Sequence, residues 1–255
     1  MVITFLGTGS SLGLPIIGCN CKVCKSKDKK DKRLRASVLI EIDDKNILID
    51  AGPDFRQQML LYNPQAKLDA ILITHDHRDH IAGLDDVRPF NFLSKKSIPV
   101  YTTESDAKSI QELYFYSFGN DDNYGTPKLN LQIIDPHRDF FFENIRITPI
   151  KIFHNKPILG YRIKNFAYLT DMKAIETAEL EKLQGLDVLV VSALRIQEHS
   201  YHFSLKEAID FIQLVKPQKA YLTHMGHGIG KHKHTSKLLP KNIFLAYDGL
   251  KIFLY

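Results

Sequence analysis

The chain has 255 residues, 44% of them hydrophobic and 25% charged, which is the composition of a globular protein able to bury a core. Disordered and collagen-like chains are excluded, and no apolar run approaches the ~18 residues that a membrane helix needs. The formal net charge is +5, yet the stretch from Lys22 to Arg35 holds six Lys and two Arg against Asp28 and Asp31, a local +6 that leaves the remainder at −1. General nucleic-acid binding is therefore not implied, and that stretch reads as a solvated loop with phosphate contact left open. One domain over residues 1–255 is expected. Residues 1–9 lack the basic start and long apolar stretch of a signal peptide, so a cytoplasmic location is expected.

In chain order, residues 2–6 read as a buried strand. The glycine-rich residues 7–13 superficially match a dinucleotide fingerprint, but Pro15 and a cysteine cluster stand where a helix would have to begin. Two β-rich runs, 37–42 and 46–50, flank Asp43-Asp44-Lys45 as a hairpin. A helix over 53–61 opens on Pro53. Residues 70–74 are a strand leading into His75, 84–90 a helical turn and 99–101 a strand. Thr103 caps a helix reaching about Ser117, whose aromatics Tyr114, Phe115 and Tyr116, with Phe118, receive no role, and 118–128 form a loop. From 129 to 169 the pattern is β again, including 145–152 and the pair 158–163 and 166–169, and a buried strand follows at 187–192. Ser204 and Glu207 make a capping box for a helix over 205–215, which stops before Pro217. Strands at 219–222, 243–246 and 252–254 complete the chain. Two strand sets, each accompanied by helices, suit two sheets packed face to face with helices outside.

The chemistry concentrates in His75-Asp76-His77-Arg78-Asp79-His80, directly after a strand. On an extended segment residues i and i+2 point the same way, so His75 and His77 can grip one metal while Asp76 and Arg78 turn aside. A helical start beyond them lets Asp79 and His80 face a second metal. Imidazole and carboxylate together suit zinc, manganese or iron. His154, Asp171 and His224 each follow a strand as well, which brings them to one sheet edge. Cys19, Cys21 and Cys24 lie within six residues, an odd and crowded count that suits metal binding in a reducing compartment better than disulfides.

This arrangement resembles the metallo-β-lactamase superfamily over essentially the whole chain. The resemblance implies a four-layer αββα sandwich of class α/β (α+β). It also implies a dinuclear centre of Zn²⁺ or Mn²⁺, one ion on His75, His77 and His154 and the other on Asp79, His80 and His224, with Asp171 bridging. Asp50, in Ile-Leu-Ile-Asp-Ala-Gly, looks like the family's supporting acid behind the ligands. Structural zinc normally takes four ligands, and His227, three residues after His224, is the candidate to complete a site with Cys19, Cys21 and Cys24. Cys-x-Cys-x-x-Cys, Gly83-Leu84-Asp85-Asp86-x-Arg88, Gly160-Tyr161-Arg162 and Leu222-Thr223-His224-x-x-His227 are similar to the branch that cleaves phosphoribosyl cyclic phosphate. That branch carries a phosphate-contacting histidine, which His202 matches best and His199 rivals. His202 and Asp79 are the expected catalytic residues. His137, His232 and His234 read as surface residues.

The activity so implied is metal-dependent hydrolysis of a small cyclic phosphodiester, with hydroxide on two ions about 3.5–4 Å apart attacking phosphorus. A tRNA 3′-end endonuclease is the alternative, although no long tRNA-gripping arm is visible. A non-catalytic zinc-stapled binding module is the third reading, and the complete ligand set argues against it. The expected partner is a small anionic phosphodiester. Nucleic acid is not favoured, no membrane is expected, and a homodimer is left open.

Overall fold

The computed structural model describes residues 1–118 and 125–254. Part of the expected 118–128 loop, at 119–124, lies outside the described residues. In chain order the strands are β1 (Val2–Gly7), β2 (Ser37–Ile42), β3 (Lys45–Ile49), β4 (Ala70–Leu72), β5 (Ile98–Thr102), β6 (Leu129–Ile133), β7 (Phe140–Phe142), β8 (Ile145–Phe153), β9 (Pro157–Ile163), β10 (Phe166–Leu169), β11 (Ala174–Ile175), β12 (Val188–Ser192), β13 (Lys219–Thr223), β14 (Ile243–Leu245) and β15 (Lys251–Phe253). The helices are α1 (Phe55–Tyr62), α2 (Arg78–Ile81), α3 (Arg88–Ser94), α4 (Glu104–Leu113), α5 (Leu205–Val215) and α6 (His232–Thr235). They belong to two compact units: Met1–Leu6, Ser37–Asp135 and Lys251–Tyr255 in the first, Gly7–Ala36 and Pro136–Leu250 in the second.

The first unit carries a sheet of order β15-β1-β2-β3-β4-β5-β6. Its hairpin closes one residue earlier than expected, pairing Ile42 with Lys45, because Asp43 and Asp44 both take positive φ (48° and 59°) as a tight two-residue turn requires. From β3 to β6 the strands run parallel, so the chain leaves β3 and β4 at the same edge. One face of this sheet buries Leu48, Ile71 and Val100 with Phe55 and Met59 of α1, Phe90 of α3 and Ile110 of α4. The helix capped by Thr103 ends at Leu113 rather than near Ser117. Tyr114 turns inward to donate its hydroxyl to the Ile81 carbonyl at 2.9 Å, and a 3-10 turn follows.

In the second unit the order is β11-β8-β9-β10-β12-β13-β14, with β7 pairing β8. Strands β8, β9 and β10 form an antiparallel meander, and β10, β12, β13 and β14 run parallel. The C-terminal ends of β8, β10, β12 and β13 therefore share one edge. Helix α5 has the expected bounds and both halves of its capping box. It buries Leu205, Ala208, Phe211, Ile212 and Val215 against Leu189, Val191 and Leu222. Strands β6 and β7 fall within the stretch 129–169 that reads as β, whereas β11 and α6 were not foreseen, since β11 has two residues and His-Lys-His-Thr has no apolar period.

Two expectations need correction here. The stretch from Lys22 to Arg35 is not simply solvated: Arg33 is buried, donating from Nη1 to Thr8 Oγ1 and to the Ala246 carbonyl, both at 2.7 Å. Nor is His232 a surface residue. It is 9% exposed, its backbone N–H donates to buried Asp31 Oδ1 at 2.7 Å, and burial together with Arg33 pushes its imidazole down to about 4.

Candidate metal centre

In the first unit the histidine motif begins three residues beyond β4. The His75 and His77 rings lie edge to face at 4.5 Å, and the His75 and His80 rings are 4.2 Å apart. Helix α2 begins at Arg78, the helical start that the spacing asks for, and Asp79 Oδ2 comes 3.2 Å from His80 Nε2. Asp50 follows β3 in a left-handed conformation (φ 64°), fully buried. Its carboxylate accepts from Thr74 N at 2.8 Å, Thr74 Oγ1 at 2.9 Å and His80 Nδ1 at 2.7 Å. Burial pushes the carboxyl above its ordinary range while His80 and Thr74 pull it back. A carboxylate only accepts, so His80 carries its proton on Nδ1 and presents the Nε2 lone pair.

The second unit gathers His154, Asp171, His202 and His224 at one edge of its sheet. His154, Asp171 and His202 each offer a donor atom within 4.8 Å of the others. His224 Nε2 is 3.1 Å from Asp171 Oδ1, and His202 Nδ1 is 3.5 Å from the same oxygen. The His202 ring stacks on His224 at 5.2 Å and lies 4.4 Å from His154. His154 Nδ1 donates to the Tyr201 carbonyl at 2.7 Å, which leaves its Nε2 for a ligand. Asp171 and His224 both have φ 54°, so each carries left-handed backbone strain at a strand end. Burial and His224 push His202 down to about 3, making it a neutral imidazole. His199 sits beyond it, ring centroids 5.1 Å apart.

The cysteines converge on His227. Its Nδ1 lies 3.4 Å from Cys19 Sγ, 3.6 Å from Cys21 Sγ and 3.8 Å from Cys24 Sγ, a four-donor cluster of the kind that closes around zinc. A hydrogen bond from the Cys24 N–H lowers Cys21 to about 6, whereas burial raises Cys24 to about 11.

A family profile described as a beta-lactamase superfamily domain matches residues 45–225. The chain belongs to the metallo-β-lactamase superfamily. An octanoyltransferase of Porphyromonas gingivalis is 40% identical over 249 residues, covering 96% of this chain and 50% of that protein. A ribonuclease Z of Methanococcus maripaludis is 23% identical over 86% of this chain and 65% of its own length. The chain thus spans about half of the first curated relative and 65% of the second. Among solved structures, a diphosphatase of the PhnP family has a TM-score of 0.92 at 37% identity, covering 100% of this chain and 98% of that one. Zinc-bound PqqB from Methylobacterium extorquens has a TM-score of 0.83 at 17% identity over the full length of both and shares the fold. Within the superfamily this chain stands in the PhnP-like branch, with the fold class that the resemblance implies.

Two motifs of that branch have steric reasons here. A Cβ at Gly83 would fall on the Gly52 carbonyl oxygen and within 2.5 Å of Phe55 Cβ. At Gly160 it would strike the Leu169 side chain and lie 2.8 Å from the Tyr168 carbonyl. Sequence reasoning missed the threonines. Thr74, Thr170 and Thr223 immediately precede His75, Asp171 and His224, and all three are fully buried. Thr74 bonds Asp50, and Thr170 Oγ1 donates to Asp171 Oδ2 at 2.7 Å. The repeated Thr before a ligand candidate was the available signal.

Proposed function

We propose that this protein is a metal-dependent phosphodiesterase acting on a small cyclic phosphate. The observation that carries the reading is the set of oriented donors. His80 is held by Asp50 and His154 by the Tyr201 carbonyl, each with Nδ1 protonated and Nε2 presented. Imidazole and carboxylate donors fit Zn²⁺ or Mn²⁺, and the Cys19, Cys21, Cys24 and His227 cluster fits a structural Zn²⁺. The ligands we assign to two divalent ions are His75, His77, Asp79 and His80 from the first unit and His154, Asp171 and His224 from the second. When bound, such ions supply a nucleophile at neutral pH and neutralise an anionic substrate.

The side chains do the rest. Thr170 holds Asp171 Oδ2 and thereby turns Oδ1 toward His224 and His202. His202 Nε2 is the atom we assign to contact the phosphate and protonate the leaving alkoxide. An anionic phosphodiester beside the ring raises its low proton affinity, which makes protonation of His202 depend on substrate.

A second reading, cleavage of a diphosphate bond, is favoured by the likeness to the 37% identical diphosphatase of the PhnP family. Turnover by wild type, His75→Ala and His202→Ala proteins with added Mn²⁺ or Zn²⁺ separates the readings, on an activated phosphodiester, a cyclic ribose phosphate, a diphosphate ester and a tRNA precursor. Fastest turnover of the cyclic compound, abolished in His75→Ala and lowered about 10²–10⁴-fold in His202→Ala, supports the proposal. Preference for the diphosphate or the tRNA moves the substrate to those classes. No turnover of any of the four overturns the enzyme.

A further inference from the structure

The lysines between Lys22 and Arg35 stand outside this chemistry, and the second unit brings a further basic segment to them. Residues 231–241 contain Lys231, Lys233, Lys237 and Lys241 with no acidic residue. Together the two segments carry +10 in a chain whose total is +5, leaving −5 for everything else. They are physically joined: His232 N donates to Asp31 Oδ1 at 2.7 Å, and Arg33 Nη2 lies 3.3 Å from His232 Nδ1. The two acids of the first segment are already counted in that charge. Asp31 is buried on His232, and Asp28 caps the backbone N–H of Lys30 at 3.0 Å.

At this junction lies a cavity of about 270 Å³ bordered by Lys30, Tyr221, His232, Phe244 and Tyr247. Its volume is just under the ~300 Å³ at which pockets for drug-sized ligands begin, which is room for one ring system. The Tyr221 and Phe244 rings lean together at 5.4 Å, the His232 ring meets Tyr247 at 5.8 Å, and Lys30 Nζ stands 4.1 Å over the face of Tyr247. Aromatic faces and cations in one place are what single-stranded nucleic acid requires, since bases stack on rings while lysines follow the phosphates. Cations spread over two segments reach further than one phosphate, which favours a strand over a free nucleotide.

We propose that this face binds single-stranded nucleic acid, one base entering the aromatic cavity while the lysines of the two segments hold the flanking phosphates. The inference does not rest on the phosphodiesterase reading, because none of its residues belongs to the proposed metal ligands.

The test is fluorescence anisotropy with a labelled 12-nucleotide RNA and its DNA counterpart, in the His75→Ala background so that no strand is turned over. Binding at 50 mM salt is expected to weaken as salt rises, with a log–log slope of about −0.7 per phosphate contact. Tyr247→Ala should weaken it about tenfold at every salt concentration, and Lys30→Glu with Lys233→Glu should flatten the slope. If Tyr247→Ala fails to fold, judged by its urea midpoint, Tyr247→Leu keeps apolar bulk without a stacking face. Absence of binding at 50 mM salt overturns the proposal. So does undiminished binding by the Tyr247 and lysine variants, equal affinity for a base-free heparin fragment, or tighter capture by phosphatidylserine vesicles.

Discussion

Substituting Asp50 by Asn changes one atom and tests whether this buried acid sets the proton position on His80. The carboxylate accepts from Thr74 N, Thr74 Oγ1 and His80 Nδ1. An asparagine oxygen can keep the Thr74 N–H, and the threonine hydroxyl can rotate to accept from the new amide. The amide N–H then faces the Nδ1–H of His80, donor against donor. Left so, the charge-assisted bond is lost, at a cost of about 1.5–3 kcal/mol. In the metal-free protein the ring escapes by moving its proton to Nε2, so we expect less than about 1.5 kcal/mol lost in urea unfolding. With metal that escape is closed, because Nε2 must present its lone pair, and affinity should fall roughly 10–100-fold. The assay is dialysis against graded chelator with the metal quantified by mass spectrometry, any metal held by the Cys19, Cys21, Cys24 and His227 cluster serving as internal reference. Wild-type affinity in Asp50→Asn would refute the argument.

Stability should also report on His232. Its imidazole is pushed down to about 4 from 6.5, so between those pH values the unfolded chain binds the proton and the folded one does not. The contribution is complete above pH 6.5 and is lost as pH falls toward 4, up to about 3 kcal/mol. The gap in urea midpoint between wild type and His232→Gln should therefore narrow through that window, and a constant gap would count against it. Gly83→Ala should destabilise by about 1–3 kcal/mol, because the new methyl meets the Gly52 carbonyl and Phe55 Cβ, both backbone-anchored. A thermal scan unchanged from wild type would contradict the steric reason. Cys24→Ser should release one zinc per chain to a colorimetric chelator without abolishing metal binding at the histidine motif; retention of all zinc would show that Cys24 is not a ligand.

The site was legible where chemistry is written in consecutive residues. The spacing of His75, His77, Asp79 and His80 has a geometric meaning on a strand that turns into a helix, and α2 begins at Arg78. His154, Asp171 and His224 were found by strand ends, which apolar runs mark well. Cys19, Cys21, Cys24 and His227 converge from positions about two hundred residues apart, and soft-ligand arithmetic anticipated that convergence. What stayed hidden depends on tertiary partners. The burial of Arg33 and His232 cannot be seen in a lysine-rich stretch, because it is Asp31, Thr8 and Ala246 that make it tolerable. Tyr114 and Phe115 read alike in sequence, yet one is in the core and the other is 73% exposed.

Asp50, Asp171 and His224 all sit in left-handed backbone, a conformation that glycine adopts freely and that costs other residues roughly 1 kcal/mol or more. At Asp171 and His224 selection for thermal stability alone would therefore pull toward glycine, or toward asparagine as a compromise, whereas at Asp50 the bonds from Thr74 and His80 oppose that pull. A library screened only for heat resistance should enrich such substitutions and return sturdier, inert proteins. Their absence from a library screened for turnover would measure how much folding free energy the centre withholds from the rest of the chain.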